Sequence, residues 1–558
     1  MTMQHLADLE PVEQTEDAEP STLTVFGRGR PGYTGAMPSA TPYVSEPAFA
    51  GRPLGVQHKL AGFLSWFVVA FCVWGLLRFP GRLSLAVEGI VAYLLIRMAV
   101  TVIFSVRGDR LVGRWRTRDW TDAAAVADLM APARPDPAPS FATTDVHHIV
   151  LVPNYKETPA VLEATLEGLA RQRVARRQVT LVLAMEAKEP GSAEKGALIA
   201  ERYAGRFANI LVTVHPANLP GEIPCKGSNQ AWAAREAKRF VVDELGIPMD
   251  RVTVTSCDAD SILHENYLEA LGRMFVADSR RYATFWQAPM FYYNNLWKVP
   301  FPVRFMAYFT HALLIAELAN PLAQPLPIST YSLSLKMLHE TGYWDPGVIS
   351  EDWHIYLQCW FSRRGDVRVR RIFLPVSADM PDGATPLKAL LSMYHQAVRH
   401  SWGAEDIGFI MQEWPDSGVP FITTARLFWH VLRDHLLRSV PWFLFSAGSL
   451  LSAMTVWGLN PLPLHYPMLS AALQWLWGVA SIGLVVVLAI ELRRFPPPRL
   501  SKLPARIVEL LTAWALLPVI SLAFGALPAL YAQTKLMLGL GLSWRVTPKR
   551  LAGQFNET

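Results

Sequence analysis

The sequence predicts an α/β domain, Rossmann-like with a mixed, mostly parallel sheet, inserted between transmembrane helices. Three observations predict it. Long apolar runs lie towards both ends of the chain; a polar stretch of about 300 residues separates them; and within that stretch short apolar strands alternate with amphipathic helices. At 558 residues with 51% apolar side chains, the chain is too long for one ordinary domain and too apolar for a water-soluble one of this size. The formal net charge of +5 is modest and no dense basic run occurs, which argues against nucleic-acid binding. Cys72, Cys225, Cys257 and Cys359 show neither Cys-x-x-Cys nor a His-paired spacing, so they read as reduced thiols, with neither a zinc site nor a disulfide framework.

Residues 1–56 carry acidic positions followed by Gly, Pro, Ser and Thr without periodicity, and are expected to be disordered. No cleavable signal peptide opens the chain. Apolar segments 60–77 and 83–106, the second broken only by Glu88 and Arg97, each approach the ~20 residues that cross ~30 Å of hydrocarbon, and make a two-helix hairpin over 57–107. Arg107, Arg110, Arg114 and Arg116 follow, so the positive-inside bias places the linker 108–144 and the domain 145–420 in the cytosol. Apolar segments return at about 439–459, 466–491 and 507–531 within a C-terminal membrane region 421–545, before a tail at 546–558. Arg493, Arg494, Arg499, Lys502 and Arg506 mark one connection as cytosolic. Five spans are the expectation for this integral, multi-pass protein of an inner or plasma membrane, with a sixth short or re-entrant segment as the alternative.

Within the domain, residues 147–153, 179–185, 210–214 and 252–256 read as strands, and 160–171 and 229–244 as helices. In a parallel sheet ligands bind beyond the carboxyl ends of the strands, where the turns 153–157, 186–189 and 258–260 would all lie. The strand 252–256 runs into Asp258 and Asp260. At i and i+2 both carboxylates point to one side of a strand end, where they can hold a hard cation, Mg2+ or Mn2+, against a diphosphate leaving group. Such a pair alone is weak evidence, because a solvated turn has the same sequence.

Taken together, Val152-Pro-Asn-Tyr-Lys-Glu157, Lys226-Gly-Ser-Asn229, Asp258-Ala-Asp260, Ser350-Glu-Asp352 and Gln396-Ala-Val-Arg399 resemble, in order and spacing, the membrane-bound family 2 glycosyltransferases, the group of cellulose, hyaluronan and chitin synthases and related glycolipid transferases. The resemblance covers about residues 145–405 and implies a GT-A fold. It also implies that Pro153, Glu157, Glu186, Lys226, Asn229, Asp258, Gln396 and Arg399 bind a nucleotide-sugar, a UDP-sugar above all, with Asp260 the direct metal ligand and Asp258 its partner. Asp352, with Glu351 beside it, would be the base that takes the acceptor hydroxyl proton, and the reaction would invert the anomeric centre. Several of these residues have plainer readings: Glu157 as a helix cap, Lys226 as a surface lysine, Glu351 and Asp352 as an acidic pair opening a helix.

Two departures from the family pattern stand out. The second strand ends in Glu186 where the family carries Asp, which bears on nucleotide choice. The acceptor motif keeps Gln396, Arg399 and Gly403, but has His400 where Trp is expected and Trp402 two positions later, a rotation of about 200° around a helix. Trp353, His400 and Trp402 are therefore the acceptor candidates. The helical segments 301–318 and 387–402 would lie at the membrane surface or pack as core helices. Residues 544–549 resemble the cytosolic segment that follows late spans in these synthases. The expected function is an inverting, metal-dependent transferase that moves a sugar to a growing polysaccharide or another membrane-associated acceptor. The alternatives are a non-processive glycolipid transferase, acting on a polyprenyl phosphate, diacylglycerol or sphingolipid, and an inactive membrane scaffold.

Overall fold

The computed structural model describes residues 22–27, 30–36, 55–130, 141–458, 466–495 and 503–542. Twelve strands are present among them: β1 Thr22–Gly27, β2 Arg30–Ala36, β3 His147–Pro153, β4 Val179–Glu186, β5 Asn209–His215, β6 Val252–Ser256, β7 Ile262–Leu263, β8 Thr284–Gln287, β9 Met290–Phe291, β10 Tyr331–Ser334, β11 Arg368–Arg371 and β12 Val376–Ser377. The main sheet runs β11-β8-β10-β6-β3-β4-β5-β1-β2, and a small sheet runs β7-β12-β9. Strands β6, β3, β4 and β5 are mutually parallel, β10 is antiparallel between β6 and β8, and β11 is parallel to β8. This is the mixed, mostly parallel sheet of a GT-A domain.

Strand alternation divides the core. Ile149 and Leu151 of β3 and Val182 and Ala184 of β4 enter the core on one face, while Val150, Val152, Leu181, Leu183 and Met185 enter the core on the other. Burial on both faces explains why these strands read as continuous apolar runs. The helix Lys226–Lys238 packs on the first face through Ala231, Ala233, Ala234 and Ala237, whose small side chains let it approach the sheet closely. The register Leu151↔Ser256 and Pro153↔Ala184 brings the ends of β3, β4 and β6 to one edge.

Inside the segment expected to be disordered, β1 and β2 form a hairpin whose first strand pairs antiparallel with β5, Thr24 opposite Val212. A parallel sheet leaves the outer backbone groups of β5 unpaired, and covering such an edge is a sufficient reason for a weakly apolar segment to order.

Among the described residues four helices are long and apolar enough to cross a membrane: Val56–Arg78, Pro80–Arg116, Ala471–Arg494 and Ala515–Met537. Phe63, Phe67, Val73 and Trp74 stand exposed on the first, as a lipid-facing surface requires. The third segment expected from sequence is only the 16-residue helix Pro441–Val456. It reaches the needed length only when joined to the preceding helix, as a pair Phe421–Ser439 and Pro441–Met454 bent by 50°. Pro441, with no N–H to donate, begins the second half and accounts for the break. The basic positions Arg499 and Lys502 and residues 544–558 lie outside the described residues.

Of the two segments expected either to lie at the membrane surface or to pack as core helices, the helix Phe301–Ala319 is largely buried, including Arg304 and His311. Ile315 lies so close to Gly108 of the helix Pro80–Arg116 that a Cβ there would sit 2.4 Å from Ile315 Cγ1. It is a packed helix. The helix Pro386–Trp402 is amphipathic, with Leu387 and Leu391 exposed and Ala389, Met393, Val398 and Trp402 buried.

Candidate active site

The site is built around Lys226. Its ammonium lies 2.7 Å from Asp258 Oδ1, 2.8 Å from Glu351 Oε1 and 3.6 Å from Asp352 Oδ1. A lysine in the first turn of a helix opposes the helix dipole, so local structure alone disfavours this position; the three carboxylates reverse the balance. Burial works against the Lys226 charge, but Asp258, Asp352 and Glu351 together raise its pKa well above the ordinary lysine value. Gly227 makes the convergence possible: a Cβ on it would lie 3.1 Å from Glu351 Cβ, so the backbone of this helix passes directly beside the acidic pair.

Glu351 and Asp352 open the helix Glu351–Ser362, where the dipole favours negative charge. Burial pushes the Asp352 carboxyl up to about 8; Lys226 opposes this, while Glu351 and Asp258 add to it. Its Oδ2 accepts the Ser329 N–H at 2.6 Å. Ser329 was not foreseen from sequence. It also donates its hydroxyl to Asp258 Oδ2, and its carbonyl accepts from Lys226 Nζ at 3.4 Å. Its φ of 55° lies in the left-handed region, which costs a residue with a Cβ about 1–3 kcal/mol. No periodicity or motif marks it; a Pro-flanked loop read as Pro327-Ile-Ser-Thr330 is the sole local signal.

Asp260 is nearly buried, and its Oδ2 accepts the Asp379 N–H at 3.0 Å. Asp258 and Asp260 offer the hard oxygens that a divalent cation needs. Among the described residues no group of three His, Cys, Asp or Glu side chains converges as a metal cage. Two carboxylates would supply only part of such a cation's oxygen shell.

The remaining sequence candidates divide. Pro153 ends β3 at the carboxyl edge of the parallel strands. Glu157 closes its own turn, accepting from Asn154 Nδ2 at 2.9 Å and from Tyr155 N at 2.7 Å. Asn229 is buried, and its amide donates to the Ala184 carbonyl at 2.9 Å, fastening the end of β4. Glu186 ends β4 and lies 3.2 Å from His215 Nδ1, while Glu222 holds Nε2 at 2.8 Å. Burial opposes a charge on His215, but the two carboxylates raise its pKa to about 9. These side chains line a pocket with Lys188, Asn218 and Leu219.

Gln396 and Arg399 lie one turn apart on the helix Pro386–Trp402. Burial lowers the Arg399 pKa, and Glu351 and Asp258 counter it, which puts the guanidinium within electrostatic reach of the acidic cluster. Trp353 is half-buried and meets His435 edge to face at 5.6 Å, while His400 is exposed. Trp402 departs from the acceptor expectation. It is buried in the core and its indole N–H donates to Glu405 Oε2 at 2.8 Å, so it provides no open stacking surface.

Beneath the acidic pair, His354 Nδ1 lies 2.7 Å from Asp406 Oδ1 and its Nε2 lies 3.7 Å from Asp345 Oδ2, all three side chains buried. Burial disfavours the imidazolium, but the two carboxylates overcome it and raise the pKa to about 10. This clamp joins the helix bearing Asp352 to the helix Glu405–Glu413 that follows Arg399 and Trp402.

Residues 253–531 match the sequence pattern of the family described as Glycosyl transferase family group 2. The chain belongs to the family 2 glycosyltransferases. Among solved structures it is similar to the mannosyltransferase PcManGT from Pyrobaculum calidifontis in complex with GDP-Man and Mn2+, at 14% identity and TM-score 0.38 over 82% of this chain and 99% of that one. It is also similar to S. aureus TarS 1-349 in complex with UDP-GlcNAc, at 13% identity and TM-score 0.32 over 71% of this chain and 93% of that one. No curated protein sequence matches it significantly.

Proposed function

We propose that this glycosyltransferase moves a sugar from a nucleotide-sugar to a hydroxyl of a membrane-associated acceptor, with inversion at the anomeric carbon. The observation that carries the reading is the convergence of Asp258, Glu351 and Asp352 on Lys226. A buried acidic cluster around one lysine is an expensive arrangement for stability and a useful one for chemistry. Lys226 at a helix N-terminus, with Arg399 nearby, forms a cradle for a diphosphate. Asp258 and Asp260 would hold Mg2+ or Mn2+, which supplies charge neutralisation for the departing nucleoside diphosphate. Asp352, whose carboxyl titrates near working pH, takes the acceptor hydroxyl proton. The acceptor oxygen bonds to the anomeric carbon as the bond from that carbon to the diphosphate oxygen breaks, and its electron pair leaves with the nucleoside diphosphate.

The flanking apolar helices and the basic residues Arg107, Arg110, Arg114 and Arg116 support a membrane protein with this domain on the cytosolic side. The burial of Trp402 favours addition of one or a few sugars over processive synthesis. A panel of radiolabelled nucleotide-sugars offered to purified membranes, with and without Mn2+, tests the reading. Label in a lipid-extractable product supports it; a ladder of long saccharides would replace it by a polymer synthase. Equal inertness of wild type and Asp352→Asn towards every donor would leave only a scaffold.

A further inference from the structure

A second polar cluster lies where the helix Glu351–Ser362 meets the helix Phe421–Ser439, and neither the donor site nor the base accounts for it. Trp353, the residue after the base, contacts His435 of the helix Phe421–Ser439. His435 is 2% exposed, yet among the described residues neither of its ring nitrogens has a hydrogen-bond partner. Two unsatisfied buried nitrogens cost free energy that a bound polar ligand would recover. One turn further along the same helix stands Arg438, exposed and with no ion pair among the described residues. The neighbouring acid, Asp434, is already committed to Arg433 at 2.9 Å and Arg97 at 3.7 Å. His400, exposed at the end of the helix Pro386–Trp402, lies within electrostatic range of Arg438, Arg399 and Asp258. The packing around His435 is polar as well: Ser65 and Ser439 share a hydrogen bond of 2.8 Å, Ser65 donates to Gln533 Oε1 at 2.6 Å, and Gln533 Nε2 donates to the His435 carbonyl at 3.2 Å.

We infer that His435, Arg438 and His400 form a subsite for the phosphate of a phospholipid-type acceptor, which holds the lipid head so that a hydroxyl beyond the phosphate reaches Asp352. This rests on the transferase reading above and names the acceptor class for it. The donor pattern selects an anion: one arginine with no paired acid among the described residues and two histidines whose ring N–H groups can donate, beside a tryptophan that can pack against the head. The position selects a lipid as its source. Arg438 stands at the bend immediately before the apolar helix Pro441–Val456, the level at which a phosphate headgroup lies.

The experiment measures binding and turnover separately on the purified full-length chain in detergent. Calorimetry compares dioctanoyl phosphatidylglycerol with dioctanoylglycerol, which has the same tails and a hydroxyl but no phosphate, and with glycerol 3-phosphate, which has no tails. The phospholipid is expected to bind at least tenfold more tightly than either. Arg438→Met should weaken that binding at least tenfold, Arg438→Lys should restore most of it, and His400→Asn should weaken it by a smaller factor. Equal affinity for dioctanoylglycerol, or no change in Arg438→Met, overturns the subsite. Tight binding of glycerol 3-phosphate alone overturns the lipid source. Failure of the wild type to hydrolyse or transfer any nucleotide-sugar counts against the transferase reading, and the binding data stand apart from it.

Discussion

Replacing Asp352 by Asn separates the base from the fold. The Asp352 carboxyl moves from the ordinary 3.8 to about 8 in the folded protein, chiefly through burial. At ~1.4 kcal/mol per pH unit, that shift corresponds to an upper bound of about 5–6 kcal/mol disfavouring the ionised form. The sign follows from proton binding. Between about pH 4 and 8 the folded state holds a proton at Asp352 that the unfolded state has released, so this group lowers stability progressively across that window. Asparagine mimics the neutral acid and its carbonyl can still accept the Ser329 N–H. Asp352→Asn is therefore expected to match or exceed the wild-type melting temperature at pH 8 while losing 10²–10⁴-fold in transfer rate, the usual worth of a positioned base. In the wild type kcat/KM should rise with pH through an acid limb near 8, and the variant should lack that limb. Radiolabel transfer and thermal unfolding in the same detergent measure both. Residual activity above a tenth of wild type with the limb retained would refute the base assignment. A melting temperature several degrees lower would show that the loss came from the fold.

Lys226→Met removes the cation that opposes the upward shift of Asp352, so the acid limb of kcat/KM should move above pH 8 as activity falls; a pH profile decides. Asp258→Asn and Asp260→Asn should each weaken Mn2+ binding in the presence of a nucleoside diphosphate at least tenfold, measured by calorimetry. His354→Leu leaves Asp345 and Asp406 buried without their counter-charge and should cost about 3–5 kcal/mol by denaturant unfolding. Because the His354 pKa is raised, its contribution to wild-type stability is fully present below about pH 6.5 and is lost as pH rises through about 10, a slope the variant should lack. Gly227→Ala adds a Cβ 3.1 Å from Glu351 Cβ and should lower transfer while leaving the melting temperature within a few degrees, since alanine gains up to about 1 kcal/mol in helix propensity.

The parts of the fold legible in the sequence were those with a local cause. Strands β3 and β6 fall at 147–153 and 252–256 as the apolar runs indicate, because strands buried on both faces cannot hide their pattern. The motifs around Lys226, Asp258 and Asp352 were visible as residue types, and the sheet register explains why turns so distant in sequence meet. What was not legible depended on long-range packing. Ser329 lies on a loop with no periodicity, and its role comes from where Asp258 and Asp352 stand. Glu186 was read as a nucleotide ligand, but nothing in its neighbourhood of sequence announces His215 or Glu222 as partners. Trp402 was read against a helical wheel, which gives its direction around the axis but not that Glu405 would receive its N–H. The segment expected at 439–459 is the 16-residue helix Pro441–Val456, which reaches spanning length only with the helix on the other side of the bend before Pro441.

The core beneath the acidic cluster is shared with the candidate membrane helices. Ala61 of the first candidate span and Ala532 and Leu536 of the last lie in one apolar cluster with Val254, Leu335 and Trp402. His58, in the first turn of the first candidate span, packs so tightly on Gly408 that a Cβ there would lie 2.4 Å from its ring. During synthesis, therefore, the strands that carry the chemistry leave the ribosome long before the residues that complete their packing. The helix Leu527–Met537 supplies the last of that packing, so a nascent chain that stops short of it has every motif of the site but lacks part of the apolar cluster beneath it.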